Sequence, residues 1–396
     1  MPFFDINHLI LSEMNAKTVY ISAAINQVSH CLSIKEDILL YGACNAVVVA
    51  KFNNIEKSWE TTNALVGHYD RVNCVKWIGD DYFVTGSTDK SVCVWKDYII
   101  EEKLTGHEAS VTCVNGLQND NLIISGSADS SLRVWSKTDE KWNCVHIFQC
   151  PKSGFVLDIA ILKGPDSLPW IFASFDDCTI RLFTFNGNEF TCRHILRGHE
   201  DWSQTLDVIF EEKNGSGDIL LVSGSQDSFV RVWRFAKVNK DRALAERRKV
   251  SDLQFNEEIK AKEIIFSTEN FNYFAVKIET ILSGHEDKVF GVQWCKTNEK
   301  LSLLTASLDK TVILWQQQEE NVDGLWIESV RVGEVGGNTL GFFGCQISQS
   351  GNIFTAYSFN GALHSWHHEN NEWSPRFVLN KNYIYYSVLL KLLLGI

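Results

Sequence analysis

Val84-Thr85-Gly86-Ser87-Thr88-Asp89 and, one residue later, Ser91-Val92-Cys93-Val94-Trp95 are the two runs that decide the fold. The first run reads as a strand end that leads into an Asp, and the second alternates β-branched and small residues up to a Trp. An Asp between two such runs favours a tight turn. The pattern therefore predicts strand, turn and strand, preceded by a Gly-His pair that ends at His68.

The same pattern occurs four times, each time with Gly-His, an Asp about twenty to thirty residues later, and a Trp six residues after the Asp. The four sets are His68, Asp89 and Trp95; His107, Asp129 and Trp135; His199, Asp227 and Trp233; and His285, Asp309 and Trp315. A period near 40 residues with these signatures is typical of WD40 blades, which stack radially because one blade cannot bury both faces alone. The sequence thus resembles the WD-repeat family and predicts an all-β, seven-bladed WD40 β-propeller.

Three weaker copies complete the count of seven blades, which we place between roughly residues 16 and 378. Asp177 keeps its spacing to an aromatic residue, but Phe183 replaces Trp and no Gly-His precedes it. Asn360 stands at the Asp position before Trp366, and the run from Gly42 to Val49 looks like an eroded first copy. Membership of the WD-repeat family implies that the last blade is completed by a strand from the other end of the chain. Residues 18–21 suit that role, although residues 377–379 could instead form the outer strand of the seventh blade.

The repeated His, Asp and Ser residues superficially suggest a hydrolase triad, but we interpret them as structural. A triad is built once per site, whereas this set recurs in every clear blade. In the WD-repeat family the Asp accepts from the His, and the His reaches a Ser or Thr that is shared with the Trp indole. We therefore predict no catalytic residues, no cofactor and no metal site.

Composition agrees with a large β-protein, since 45 per cent of the 396 residues are hydrophobic and 13 are Trp. The formal net charge of −12 disfavours binding to a nucleic-acid backbone, so direct contact with tRNA is not expected. The first 20 residues lack a basic start and a long apolar run, which predicts an intracellular chain. The eleven Cys, four of them at Cys74, Cys93, Cys113 and Cys295, show no metal-site spacing and are expected to be free thiols.

Two segments break the rhythm of the blades. The first, about 236–274, combines Lys and Arg with helix formers and is expected to be a partly helical or disordered insertion, either a solvated loop or a basic arm for a partner. The second, 381–396, is apolar and fits no blade; it is too short and too interrupted by Lys391 to predict a membrane span. We therefore divide the chain into a propeller at 1–380 and a tail at 381–396.

Several longer stretches resemble one family in particular, the second subunit of the Elongator complex. They are 309–315, 324–342, 198–202, 224–228, 279–286 and 361–366, and the run from Arg331 to Phe342 is not a general propeller feature. The resemblance covers about residues 10–379, which corresponds to the first of two propellers in that family, and the sequence departs from the family where the second propeller should begin. It implies a non-enzymatic scaffold that holds Elongator subunits 1 and 3 in a complex that modifies wobble uridines of tRNA. It also implies a cytoplasmic location, with the nucleus as a second one.

Two other functions stay open: a general WD40 adaptor that presents peptides or substrates, and an enzyme. Readers of anionic peptides need basic residues around the central channel, where the residue before each turn Asp is expected to point. None of these is basic: Thr88, Ala128, Asp176, Gln226, Leu308 and Phe359. For contact with a partner, the aromatic residues beside the Gly-His loops, Tyr69 and Trp202, are the candidates. The alternative is that both pack on neighbouring blades.

Overall fold

The computed structural model describes residues 25–53, 58–150, 154–165, 167–213, 216–242, 263–268, 272–297, 300–318, 325–333, 340–369 and 372–377. These residues form seven antiparallel sheets. Blade 1 contains β1 (Leu32–Lys35), β2 (Ile38–Ala43), β3 (Ala46–Asn53) and β4 (Ser58–Val66). Blade 2 contains β5 (Val72–Trp77), β6 (Tyr82–Ser87), β7 (Val92–Lys96) and β8 (Ile99–Leu104). The seven-bladed propeller predicted from the sequence is confirmed.

The other blades repeat this plan. Blade 3 contains β9 (Val111–Leu117), a 3-10 turn (Gln118–Asp120), β10 (Leu122–Ser127), β11 (Ser131–Thr138) and β12 (Lys141–Gln149). Blade 4 contains β13 (Val156–Lys163), β14 (Pro169–Phe175), β15 (Thr179–Phe185) and β16 (Phe190–Arg197). Blade 5 contains β17 (Ser203–Lys213), β18 (Ser216–Ser225), β19 (Val230–Val238), β20 (Ile264–Ser267) and β21 (Tyr273–Leu282). Blade 6 contains β22 (Val289–Thr297), β23 (Lys300–Ser307), β24 (Thr311–Gln317) and β25 (Trp326–Gly333). Blade 7 contains β26 (Phe342–Ile347), β27 (Ile353–Ser358), β28 (Leu363–Glu369) and β29 (Glu372–Phe377).

The first strand of each blade faces the central channel, and side chains on these inner strands tie each blade to the next. Asp158 of β13 accepts a hydrogen bond from the Leu206 N–H of β17 at 2.6 Å, and Asp207 of β17 accepts from the Trp294 N–H of β22 at 2.6 Å. Gln293 of β22 accepts in turn from the Ile347 N–H of β26 at 2.7 Å. These bonds satisfy inner-strand N–H groups that would otherwise be left without a partner beside the channel.

Blades 1 and 7 close the ring by packing and by hydrogen bonds. The Tyr357 hydroxyl of β27 donates to the Val28 carbonyl at 2.7 Å and accepts from the Cys31 N–H at 3.3 Å. Tyr357 and Leu363 share one apolar cluster with Leu39 and Tyr41 of blade 1. The outer strand of blade 7 is β29, which precedes the predicted stretch 377–379 and shares only Phe377 with it. Residues 378–379 and 18–21 lie outside the described residues.

The predicted insertion lies within blade 5, between β19 and β21. Strand β19 continues to Val238, a helical turn begins at residue 240, and β20 pairs with β21, so residues 264–267 form a strand that the sequence did not predict. The strand was missed because β20 has only four residues, Ile264–Ser267, which is too short to show alternation. Residues 243–262 of the insertion and the tail 381–396 lie outside the described residues.

Candidate functional site

The repeated polar side chains meet in four nearly identical sets, one each in blades 2, 3, 5 and 6. In blade 3, His107 Nδ1 lies 2.9 Å from Asp129 Oδ2, and His107 Nε2 lies 2.8 Å from Ser125 Oγ. The Trp135 indole N–H donates to the same Ser125 Oγ at 2.8 Å. The corresponding sets are His68, Asp89, Thr85 and Trp95; His199, Asp227, Ser223 and Trp233; and His285, Asp309, Thr305 and Trp315.

Hydrogen-bond capacity fixes the direction of each chain. Asp129 can only accept when ionised, so His107 Nδ1 carries the proton and Nε2 is an acceptor. The Ser125 hydroxyl then donates to His107 Nε2 and accepts from Trp135, which leaves every one of these polar groups satisfied. Such a chain has no group free to attack a substrate, and it recurs in four blades. Its role is to pin the second and third strands to the loop that enters the blade.

Burial and hydrogen bonds set the ionisation of these groups. Burial opposes the charge of Asp129, but hydrogen bonds from Ser131, the Glu108 N–H and His107 outweigh it and lower its pKa to about 2. Asp89, Asp227 and Asp309 shift in the same direction for the same kind of reason. Burial lowers the pKa of His107, although Asp129 works against that shift. The sets of blades 2, 3 and 5 therefore hold a neutral imidazole beside an ionised carboxylate.

The glycines of two Gly-His pairs, Gly67 and Gly284, are required by the Trp of the same set. A Cβ on Gly67 would lie 2.8 Å from the Trp95 ring, and one on Gly284 would lie 2.6 Å from the Trp315 ring. No side chain fits in that space, so the backbone itself covers the indole.

Blade 4 has lost the His, the hydroxyl and the Trp of the set and keeps only Asp177. Register places Ala173 where blade 3 has Ser125, and Phe183 where it has Trp135. Phe183 has no N–H to satisfy, so the missing hydroxyl leaves no donor orphaned. Asp177 instead accepts from the Arg181 guanidinium and from Thr179 Oγ1, both at 2.5 Å.

The face that carries the sets also displays the residues before each turn Asp. Of these, Phe359 is 46 per cent exposed and stacks on Phe343, with ring centroids 5.3 Å apart. Phe343 in turn lies 5.2 Å from Phe290 of blade 6, so three rings form a ladder across blades 6 and 7. Sequence reasoning missed this ladder, because Phe290 and Phe343 become neighbours only through the packing of β22 against β26.

The same face carries basic residues that sequence reasoning also missed. Arg71 and Lys288 occupy equivalent positions, because their carbonyls accept from the N–H of Thr88 and of Leu308. Both are already engaged by amide side chains: Arg71 Nε donates to Asn73 at 3.0 Å, and Lys288 Nζ donates to Gln226 at 2.8 Å.

The central channel is acidic rather than basic. Lys76 lines it together with His30, Asp158 and Asp207. Burial raises the pKa of both carboxyl groups, and Lys76 partly offsets that shift. His30 Nδ1 lies 3.6 Å from Asp158. This balance does not favour capture of an anionic peptide.

Tyr69 and Trp202, the two predicted contact residues, lie on the face that carries the His–Asp sets, but their side chains differ in exposure. Tyr69 is 91 per cent exposed, and the Lys103 ammonium lies 4.4 Å from its ring centroid. Its main-chain N–H donates to Asp89 at 3.0 Å, so the backbone is fixed while the ring stands in solvent. Trp202 is 37 per cent exposed, and its carbonyl accepts from the Gln226 N–H. Their role in binding stays a prediction.

Within the described part of the chain, no group of three or more His, Cys, Asp or Glu side chains is arranged to hold a metal ion. No helix among those residues is long and apolar enough to cross a bilayer. Cys74, Cys93, Cys113 and Cys295 are free and buried.

Comparison with known families matches the model described as "WD domain, G-beta repeat" to residues 59–96, 100–136, 190–234 and 276–316. Each matched segment begins in or beside the outer strand of one blade and ends just after the Trp of the next blade. The chain is a seven-bladed β-propeller in which four segments match WD40 repeats. Because each sequence repeat spans two blades, it links neighbours covalently as well as by packing.

The propeller is similar to proteins named Elongator complex protein 2. Identity is 34 per cent to the one from Danio rerio, covering 92 per cent of this chain and 45 per cent of the relative. It is 33 per cent to the Drosophila melanogaster protein, with 93 and 49 per cent covered, and 33 per cent to the Homo sapiens protein, with 87 and 42 per cent covered. The chain spans less than half the length of each of these relatives. The resemblance predicted from the sequence is confirmed.

Proposed function

We propose that this WD40 propeller is a non-enzymatic scaffold in an Elongator complex, where it holds the first subunit and the catalytic third subunit. That complex would modify wobble uridines of tRNA in the cytoplasm, with the nucleus as a second location. The observation that carries the proposal is similarity over 87 to 93 per cent of the chain to proteins named Elongator complex protein 2. Direct contact of this chain with tRNA is not part of the proposal, since its net charge is −12.

The surface supports binding rather than chemistry. The repeated His and Asp residues form hydrogen bonds within their own blades, whereas the same face exposes the side chains of Tyr69 and Trp202. Exposed aromatic side chains on loops held by a rigid scaffold are typical anchors for protein partners. We therefore propose these two residues as contacts for the larger subunits.

Co-precipitation of the tagged full chain with Elongator subunits 1 and 3 tests the proposal. The wild type should retain both subunits, and a Tyr69→Ala, Trp202→Ala double variant should lose at least one. Phe210→Ala is the matched control, because Phe210 is 39 per cent exposed but lies at the far end of β17. If the wild type binds neither subunit, the scaffold proposal fails for this chain. If the double variant binds like the wild type, only the assignment of the two contacts fails.

A general WD40 adaptor is the second candidate, and the ladder of Phe290, Phe343 and Phe359 favours it. Three rings in one row offer an apolar strip to a peptide at the mouth of the channel. Pull-down from cell extract followed by mass spectrometry separates the two functions: recovery of Elongator subunits supports the scaffold, and recovery of other complexes without them supports the adaptor.

A further inference from the structure

A cavity of about 180 Å³ opens between blades 1 and 2 on the face opposite the His–Asp sets. It is built by the β1–β2, β5–β6 and β7–β8 turns, whereas the turn Asp residues belong to turns at the other ends of the same strands. Its volume is more than ten times the ~10–15 Å³ that admits one water molecule, so a side chain can enter. Nothing in the packing of the ring or in the WD40 sets requires this space.

Aromatic rings form one wall of the cavity. Trp77 lies edge-on to Tyr98, with ring centroids 6.4 Å apart, and Ile38 completes the apolar surface. The indole N–H of Trp77 is buried and has no hydrogen-bond partner among the described residues.

Tyr98 stands at an unusual position. The turn between β7 and β8 has positive φ at Asp97 (49°) and Tyr98 (65°), a geometry that favours Asn or Gly and is rare for a bulky residue. Blade 3 makes the same turn with Asp139 (50°) and Glu140 (64°), so the turn itself does not need an aromatic ring. In blade 2 the ring instead completes the cavity wall beside Trp77 and Phe83.

Carboxylates surround the opening. The lining residues carry one cation, Lys35, against Glu36, Asp80, Asp81 and Asp97, a formal charge of −3. Lys35 Nζ is held by Asp80 Oδ1 at 2.7 Å and by the Gly79 carbonyl at 2.9 Å, so it neutralises Asp80. Asp81 and Asp97 are exposed, and no cation pairs with either of them within the described residues.

We propose that this cavity receives an arginine side chain from a partner protein. A planar guanidinium stacks on aromatic faces and presents five donors in a fork that suits carboxylates, so the Tyr98 ring and the Asp81 and Asp97 carboxylates match its two chemical features. The Trp77 ring beside Tyr98 already has the Lys35 ammonium 5.8 Å from its centroid, so the site accepts a cation next to its aromatic wall. This site is independent of the Elongator assignment, because it rests on the cavity alone.

The test is an NMR titration of the full chain with acetyl-Gly-Arg-Gly-amide, observed at the Trp indole N–H signals and assigned with Trp77→Phe. The Trp77 signal should shift and saturate at roughly millimolar peptide, as expected for one side chain. The citrulline peptide, which has the same shape but no charge, should bind about tenfold more weakly or worse, since charge pairing is lost.

Variants localise the effect. Asp81→Asn with Asp97→Asn should weaken binding about tenfold, while Asp139→Asn, at the matching turn of blade 3, should leave it unchanged. Tyr98→Asn suits the positive φ and keeps the turn, so it should abolish the shift in a folded protein, as circular dichroism can verify. An unmoved Trp77 signal, equal binding of the citrulline or the corresponding lysine peptide, or an equal loss in Asp139→Asn would overturn the proposal.

Discussion

Blades 3 and 4 are neighbours with the same strand order, but each blade is stabilised by different interactions. In blade 3 the Ser125 hydroxyl joins His107 to Trp135. Blade 4 has Ala173 and Phe183 at the corresponding positions. A lone survivor of the polar set would leave a buried group unpaired at a cost of about 1–3 kcal/mol, whereas loss of donor and acceptor together costs little. In blade 4 the hydroxyl and the indole N–H have therefore been lost together, while Asp177 remains with new partners.

Blade 4 is held instead by aromatic packing against blade 5. Trp170 is fully buried and lies edge-on to Phe274 at 4.9 Å. Phe266 of β20 packs on both rings, and its own ring stacks on His194 at 5.4 Å. Strand β20, at the C-terminal end of the insertion, therefore covers the outer part of the interface between blades 4 and 5.

The largest expected effect is that of Trp135→Ala. It removes a buried indole and the hydrogen bond that Ser125 accepts from it, so the free energy of unfolding should fall by about 3–5 kcal/mol. Phe183→Ala is the counterpart in blade 4. Its loss in the free energy of unfolding should be about 1–3 kcal/mol smaller than that of Trp135→Ala, because no polar partner is left behind. Urea unfolding of both variants measures the difference. Equal losses would remove the distinction between the two blades.

Phe266→Ala should destabilise the protein by about 3 kcal/mol, since the ring is buried among aromatic residues of blades 4 and 5. Ile264→Ala, two residues away on the same strand, should change stability by less than about 0.5 kcal/mol because that side chain is 50 per cent exposed. Thermal melts compare the two variants. If Phe266→Ala melts with the wild type, β20 does not hold blade 4.

The two turn carboxylates should respond differently to removal of charge. Asp129 accepts from the N–H groups of Glu108 and Ser131 and faces His107, so Asp129→Asn should cost about 1–3 kcal/mol. Asp177→Asn should cost about 1 kcal/mol or less, because its ion pair with Arg181 is partly exposed to solvent. Chemical denaturation gives both values, and the reverse order would contradict this account.

Acid should destabilise the intact blades in two steps. Burial lowers the pKa of His68, His107 and His199, so the folded state resists protonation. The stability from these groups is complete above the unfolded pKa of about 6.5 and is lost as the pH falls below it. Asp129, with its pKa lowered to about 2, adds a second loss as the pH falls from about 4 towards 2. Unfolding free energies that stay constant from pH 7.5 to 4 would refute this.

A smaller acid effect comes from blade 4. Burial also lowers the pKa of His194, whose ring stacks on Phe266. His194→Phe should keep the stacking and make stability slightly less sensitive to acid between about pH 6.5 and 5, while the larger effect of the intact blades remains. Unfolding free energies of the wild type and the variant, measured over the same pH range, show how much of the pH dependence comes from His194. An unchanged pH dependence would mean that His194 contributes none of it.

Sequence predicted the repeated features and missed those made by packing between blades. The period of Gly-His, Asp and Trp, together with three weaker copies, predicted seven blades, and the resemblance to the WD-repeat family implied the partners within each set. The ladder from Phe290 to Phe359 and the cavity beside Trp77 arise between blades, where no spacing along the chain records the contact. Strand β20 escaped notice because four residues are too few to show a period.

The most direct test of the central claim is a double-mutant cycle on Ser125→Ala and Trp135→Phe, which together reproduce the Ala173 and Phe183 pair of blade 4. The claim is that the polar set of blade 3 acts as one unit. The account predicts a coupling of about 1 kcal/mol, with the double variant more stable than the sum of the single losses requires. Losses that add to within about 0.3–0.5 kcal/mol would contradict it, since the indole and the hydroxyl would then stabilise the blade independently.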